Sequence, residues 1–231
     1  MLSTVMWLLL GRVETMPVYK ESHRSTIARL REVVRAPVTL LVVAADAGPL
    51  ALLTAFLGWM PNFYHEVHGM SLAKGGALMR ILSFAGFVAL LIASVLQVRF
   101  HRRRPFLIVP GVVTGFAALA CIMLSDSVAL YVSVVLLGFS CWFYLPTLFT
   151  IPMELYSDDP RRISVIYATL MSVGGIASFL SPPIVGAISD LTGSFVPGLV
   201  IFSVMGWSLG VSGFMLPETG VNRTELGTPK T

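Results

Sequence analysis

Charge is what this chain has least of. Asp, Glu, Lys and Arg make up 12% of its 231 residues, where a soluble domain carries about a quarter. Hydrophobic residues reach 55% and the mean hydropathy is +0.82, a balance that excludes an ordinary water-facing surface. Cysteine occurs only twice. Cys121 and Cys141 both fall inside apolar runs, with neither metal-ligand spacing nor a pairing pattern, so they read as small packing residues. Catalytic signatures are missing as well: there is no His-Glu-x-x-His, no Gly-x-Ser-x-Gly, and no pair of acids or of Ser with His at workable spacing within the apolar runs. An enzyme is therefore not expected, and no metal or other cofactor is implied. The net charge of +4 and pI near 9.3 do not indicate nucleic acid, because the basic residues sit in the connections between apolar runs.

What the chain does have is six apolar stretches, at 38–60, 75–98, 105–124, 128–150, 163–187 and 197–216. Each is about 20–25 residues, the length an α-helix needs to cross a hydrocarbon core of about 30 Å. The sequence thus predicts an all-α, polytopic membrane protein, a six-helix bundle over 38–216 in a lipid bilayer. Two charged side chains lie within the stretches, Asp46 and Arg80. Ionisable groups at membrane depth are expensive and mark functional positions. Arg80 lies about 9 Å into its span and Asp46 about 12 Å into the preceding, antiparallel one, which leaves about 9 Å between their levels. Both are candidates for the wall of one central cavity. A guanidinium offers a planar fork of donors suited to a small planar anion or a carboxylate. Asp46 is a candidate to take a coupled proton or to neutralise Arg80 in the unloaded state. Trp142 and Tyr144, deep in the fourth stretch, are candidates to frame the cavity. Trp59 and Tyr64 read as interfacial anchors, His65 and His68 as outer-loop residues, and Asp126 and Asp190 as turn or cap residues.

Orientation follows from the connections. Of 16 Lys and Arg residues, all but Lys74 and Arg80 fall in segments on one side: 11–37, 99–104, 151–162 and the tail. Basic connections stay in the cytosol, so a multi-pass protein of the cytoplasmic membrane with both termini cytosolic is expected. The tail sequon Asn222-Arg223-Thr224 would be silent there. Residues 2–10 are apolar but half a span long, with Arg12 after rather than before them, unlike a secretory signal. Residues 1–10 read as the stub of a preceding helix, 11–37 as a cytosolic linker, and 217–231 as a cytosolic tail. Within the linker, Ile27, Leu30, Val33 and Val34 recur at helical spacing among basic residues, an amphipathic surface helix ended by Pro37.

Three spans followed by three would stand inverted relative to one another, a transporter device. Leu57-Gly58-Trp59-Met60-Pro61 is faintly echoed by Leu137-Gly138, Trp142 and Pro146. Gly111/Gly115 and Gly206/Gly210 are GxxxG pairs of the kind that let helices pack closely. The fifth stretch collects Gly174, Gly175, Pro182 and Pro183, candidates for a flexing helix whose freed carbonyls need partners from protein or water.

From Pro152 the chain reads PMELYSDDPRRISVIYATLMSVGGIASFLSPPIVGAISDLTGSF. Glu154, the turn through Asp158-Asp159-Pro160, Arg161-Arg162, Gly174-Gly175, Pro182, Gly186 and Asp190-Leu191-Thr192-Gly193 resemble the tenth-to-eleventh helix region of the major facilitator superfamily. Within it, these elements, with Trp59-Met60-Pro61 and His68-Gly69-Met70-Ser71-Leu72, look most like bacterial cyanate- and nitrate-type permeases. The resemblance spans the chain as the carboxyl-terminal half of a twelve-helix fold, two inverted three-helix repeats. The loop Arg99-Phe100-His101-Arg102-Arg103-Arg104-Pro105 keeps only the basic half of the family's Gly-Asp-Arg-x-Gly-Arg pattern. Glu154 is then the candidate acid for a charge latch with Arg102, Arg103, Arg161 or Arg162. In the nitrate-type permeases an arginine of the eighth helix helps bind the anion, a role that the resemblance carries to Arg80. The function implied is the carboxyl-terminal bundle of a secondary transporter that moves a small anionic or polar solute by alternating access. Its partners would be a missing amino-terminal six-helix half or a second copy. The alternative is a truncated or non-transporting membrane subunit.

Overall fold

The computed structural model describes residues 30–100, 102–125 and 127–219. The stub at 1–10, the linker as far as residue 29, His101, Asp126 and the tail from residue 220, sequon included, lie outside the described residues. From Val33 onward the chain forms one compact unit.

The described residues from Pro37 on are helical and form α1 (Pro37–His68), α2 (Leu72–Arg99), α3 (Pro105–Met123), α4 (Val128–Phe143), α5 (Leu145–Leu155), α6 (Pro160–Thr192), α7 (Val196–Gly206) and α8 (Ser208–Met215). They make six spans long and apolar enough to cross a membrane, with α4 and α5 sharing one span and α7 and α8 another. Helix starts follow local chemistry. Proline stands in the first turn of α1, α3, α5, α6 and α7, where its missing N–H costs nothing. The side chains of Ser71, Ser127 and Asp159 accept backbone N–H groups at the starts of α2, α4 and α6. At the far ends of α1 and α6, Gly69 and Gly193 adopt the left-handed conformation at φ 63° and 70°.

Three expectations shift. The first span does not stop near Met60: α1 continues through Pro61 to His68, so His65 and His68 occupy its last turn rather than a loop. Tyr64 is no interfacial anchor. It is fully buried, and its hydroxyl donates to the Cys121 carbonyl at 3.1 Å. Trp59 likewise turns inward, its indole N–H donating to the Pro182 carbonyl at 2.8 Å and its ring 4.9 Å from Phe195.

The double proline leaves α6 unbroken over 33 residues. Pro182 has no N–H for the Ser178 carbonyl one turn back. That oxygen instead has the Thr54 and Ser181 hydroxyls 3.2 and 3.1 Å away. The partners are protein groups, as a hydrocarbon core demands. These bonds, with Trp59, tie α1 to α6 over Thr54–Trp59 and Ser178–Pro182.

Elsewhere α2 packs on α4, and α3 packs on α4, α7 and α8. The two GxxxG pairs meet here: a Cβ on Gly111 would lie 2.2 Å from the Gly210 nitrogen. Helix backbones can approach that closely only without side chains between them. By contrast α2 and α6 leave long faces open, with 22% and 17% of their apolar windows buried against 44–61% for the other spans. Gly111→Val should cost about 1–3 kcal/mol by overpacking, read as a lowered thermal midpoint in detergent. Gly76→Ala, whose Cβ meets nothing within 4 Å, should leave that midpoint unchanged or slightly raised.

Candidate functional site

One carboxyl group lies deep in the bundle. Asp46 is the tenth residue of α1 and is 3% exposed. At 1.5 Å per residue it stands about 14 Å from the start of that helix, far from either end. Its Oδ1 accepts a hydrogen bond from the Tyr144 hydroxyl at 3.1 Å. Tyr144 occupies the junction of α4 and α5, at φ −77° and ψ −22°. Pro146, two residues on, cannot donate to the Trp142 carbonyl one turn earlier. The other carboxylate oxygen faces α6. A Cβ on Gly174 would stand 2.9 Å from Asp46 Oδ2, so this position admits the carboxylate by having no side chain.

These groups border a cavity of about 240 Å³. Asp46, Trp142, Tyr144 and Phe149 line it together with Leu50, Leu53, Cys141, Leu145 and Met171. Neighbours fix the aromatic walls. The Trp142 indole lies against Gly86 of α2, where a Cβ would come within 2.3 Å of the ring. The Tyr167 hydroxyl donates to the Phe149 carbonyl, with the two rings 5.4 Å apart. Met171, 54% exposed, stands at the cavity's rim. Three anticipated residues, Asp46, Trp142 and Tyr144, are thus brought to one place.

Arg80 is not among them. α2 buries Gly75, Leu78, Met79, Leu82, Gly86, Ala89 and Ala93 on one face. Arg80 falls on the opposite, exposed face with Phe84, Phe87 and Leu91. Among the described residues it has no hydrogen bond or ion pair. Nearness in membrane depth therefore did not translate into a shared wall, because the helical phase of α2 turns Arg80 away. Of the four residues anticipated to flex α6, Gly174 belongs to the Asp46 site and Pro182 to the clamp with α1. Gly175 and Pro183 lie on the open side of α6.

At the basic end of the bundle the latch residues sort themselves. Arg103 donates from Nε and Nη2 to Glu154 Oε1, at 3.1 and 2.7 Å, and from Nη1 to the Gln97 carbonyl at 2.9 Å. The pair is partly buried, 13% and 24% exposed. Arg162 instead stacks over the Tyr156 ring at 4.0 Å, a cation–π contact. Arg102 and Arg161 are exposed. Glu218 was not anticipated. Its carboxylate accepts the backbone N–H groups of Arg103 and Arg104 at 2.5 and 3.3 Å, and Arg104 Nε donates to the Leu216 carbonyl at 2.7 Å. The signal available was an acid directly after the last apolar stretch and level with the basic loop. Gly174 beside Asp46 and Phe149 in the cavity wall carried no comparable local signal.

Six spans of membrane length, bordering a half-open pocket with one carboxylate in its wall, mark a polytopic membrane protein. Residues 1–182 match the Major Facilitator Superfamily, and the chain belongs to that family of transporters, which are not enzymes. Over 148 residues it is 26% identical to a Pseudomonas putida protein named for metabolite transport, NicT. The match covers 63% of this chain and 33% of that relative, so the chain spans about a third of the relative's length.

Removing both members of the Arg103–Glu154 pair isolates its energy. Hydrogen bonds to charged groups are worth about 1.5–3 kcal/mol. A double-mutant cycle with Arg103→Ala and Glu154→Ala, read by thermal or denaturant unfolding in detergent, should give a coupling of about 1–2 kcal/mol.

Proposed function

We propose that this chain is the carboxyl-terminal six-helix bundle of a secondary transporter and that it moves a small polar solute by alternating access. The cavity at Asp46 and Tyr144 is then its solute site. The observation that carries the reading is a carboxylate held within a span, on the wall of a cavity, beside a one-residue interruption in another spanning helix. Broken helices and sites near the midplane are the devices by which transporters expose one site to each side in turn. The open faces of α2 and α6 support a missing six-helix half or second copy as partner, and the basic end supports cytosolic termini in the cytoplasmic membrane. The Arg103–Glu154 pair, with Glu218 behind it, would hold the cytosolic end of the bundle in one arrangement.

Cys141 lines the cavity and is one of two cysteines in the chain, which makes access measurable. In a Cys121→Ser background, an impermeant methanethiosulfonate reagent should modify Cys141 both in right-side-out and in inverted vesicles. Modification from one side only, or from neither, would sink alternating access at this cavity.

A second reading concerns the solute. An exposed guanidinium without a partner among the described residues, within an apolar face, supports a small anion bound at Arg80, in the manner of the cyanate- and nitrate-type permeases that the sequence resembles. Arg80→Ala should then abolish anion uptake while membrane insertion stays intact. Normal uptake in that variant would remove Arg80 from the site.

A further inference from the structure

The cavity itself has a sign. Its charged wall residue is Asp46, and among the described residues no Lys, Arg or His lines it. Around the carboxylate stand Trp142, Tyr144 and Phe149, three aromatic rings, and then Leu50 and Leu53. Oδ1 has the Tyr144 hydroxyl for a partner. Oδ2 faces Gly174, which offers no side chain. A buried carboxylate in apolar surroundings calls for a cation or a proton to balance it. Arg80, the other charge within the spans, is turned to the opposite face of α2 and does not supply one.

Resting on the reading of this cavity as the solute site, we propose that it selects a small organic cation: a protonated primary or secondary amine carrying an aromatic or aliphatic body. The ammonium would sit between Asp46 and the Tyr144 oxygen, whose hydroxyl hydrogen is already committed to Asp46 and whose lone pairs remain free to accept an N–H. The electron-rich ring faces of Trp142, Tyr144 and Phe149 attract a cation, as in the aromatic cages that hold ammonium ligands. The leucines and Met171 accommodate the apolar body. The cavity, about 240 Å³, has room for an amine with a single ring.

The test is equilibrium dialysis of the full chain in lipid nanodiscs with three isosteric probes, benzylamine, benzyl alcohol and benzoate. Benzylamine should bind at least tenfold more tightly than either of the others. Asp46→Asn keeps the shape and an acceptor for Tyr144, and should lose at least tenfold in benzylamine affinity. Its thermal midpoint reports that it remains folded. Gly174→Ala, which crowds Oδ2, should weaken benzylamine as well. Equal binding of benzyl alcohol and benzylamine would mean that a proton balances Asp46, and would overturn the proposal. Preference for benzoate, absence of benzylamine binding at millimolar concentration, or binding indifferent to Asp46→Asn would overturn it too. Binding needs no two-sided access, so two-sided labelling of Cys141 with no amine preference would sink the cation and leave the transporter. Amine binding with one-sided labelling would do the reverse.

Discussion

A hydrocarbon core offers no hydrogen bonds, and most of this structure follows from that one constraint. Backbone groups are satisfied within helices, and where a proline frees a carbonyl a hydroxyl arrives: Ser178 has Thr54 and Ser181 beside it. Buried polar side chains at mid-span turn back onto carbonyls, as Thr114 does onto Pro110 and Ser203 onto Leu199. The described buried side-chain atoms that lack a partner belong to Thr39, His68, Glu154, Arg162 and Thr219, away from the middles of the spans. Against that background the Asp46 carboxylate stands out. It lies within the first span with the Tyr144 hydroxyl as its hydrogen-bonding partner and borders the cavity.

The spans were legible because they rest on composition alone. A run of some twenty apolar residues has no other stable home, so their number and order could be read directly. Their ends were not legible. Met60-Pro61 looked like a stop, yet proline in α1 removes one backbone bond while the bonds of the following residues continue the helix to His68. Asp46 and Arg80 looked like a pair because both stand at intermediate depth. Depth sets level, whereas phase sets the wall. The phase of α2 was written in its small residues, since Gly75, Gly86, Ala89 and Ala93 recur on one face and mark where another helix comes close. Arg80 is outside that face. Glu218, Gln97 and Gly174 act through groups more than forty residues distant or on another helix, and nothing local announces such contacts.

The two polar centres of the bundle share a helix. α5 is 11 residues long and is separated from α4 by the junction at Tyr144. It carries Phe149 into the cavity wall and Glu154 into the bond with Arg103. Five residues of helix put these positions about 7.5 Å apart along one axis. A rotation of α5 about the junction at Tyr144 would therefore move an aromatic wall and a latch carboxylate together. Thr147, also on α5, donates to Gln97 at 3.3 Å, and Gln97 in turn accepts Arg103 on its carbonyl. Pro146 stands at that junction, where it costs one backbone hydrogen bond between the cavity wall and the charged end.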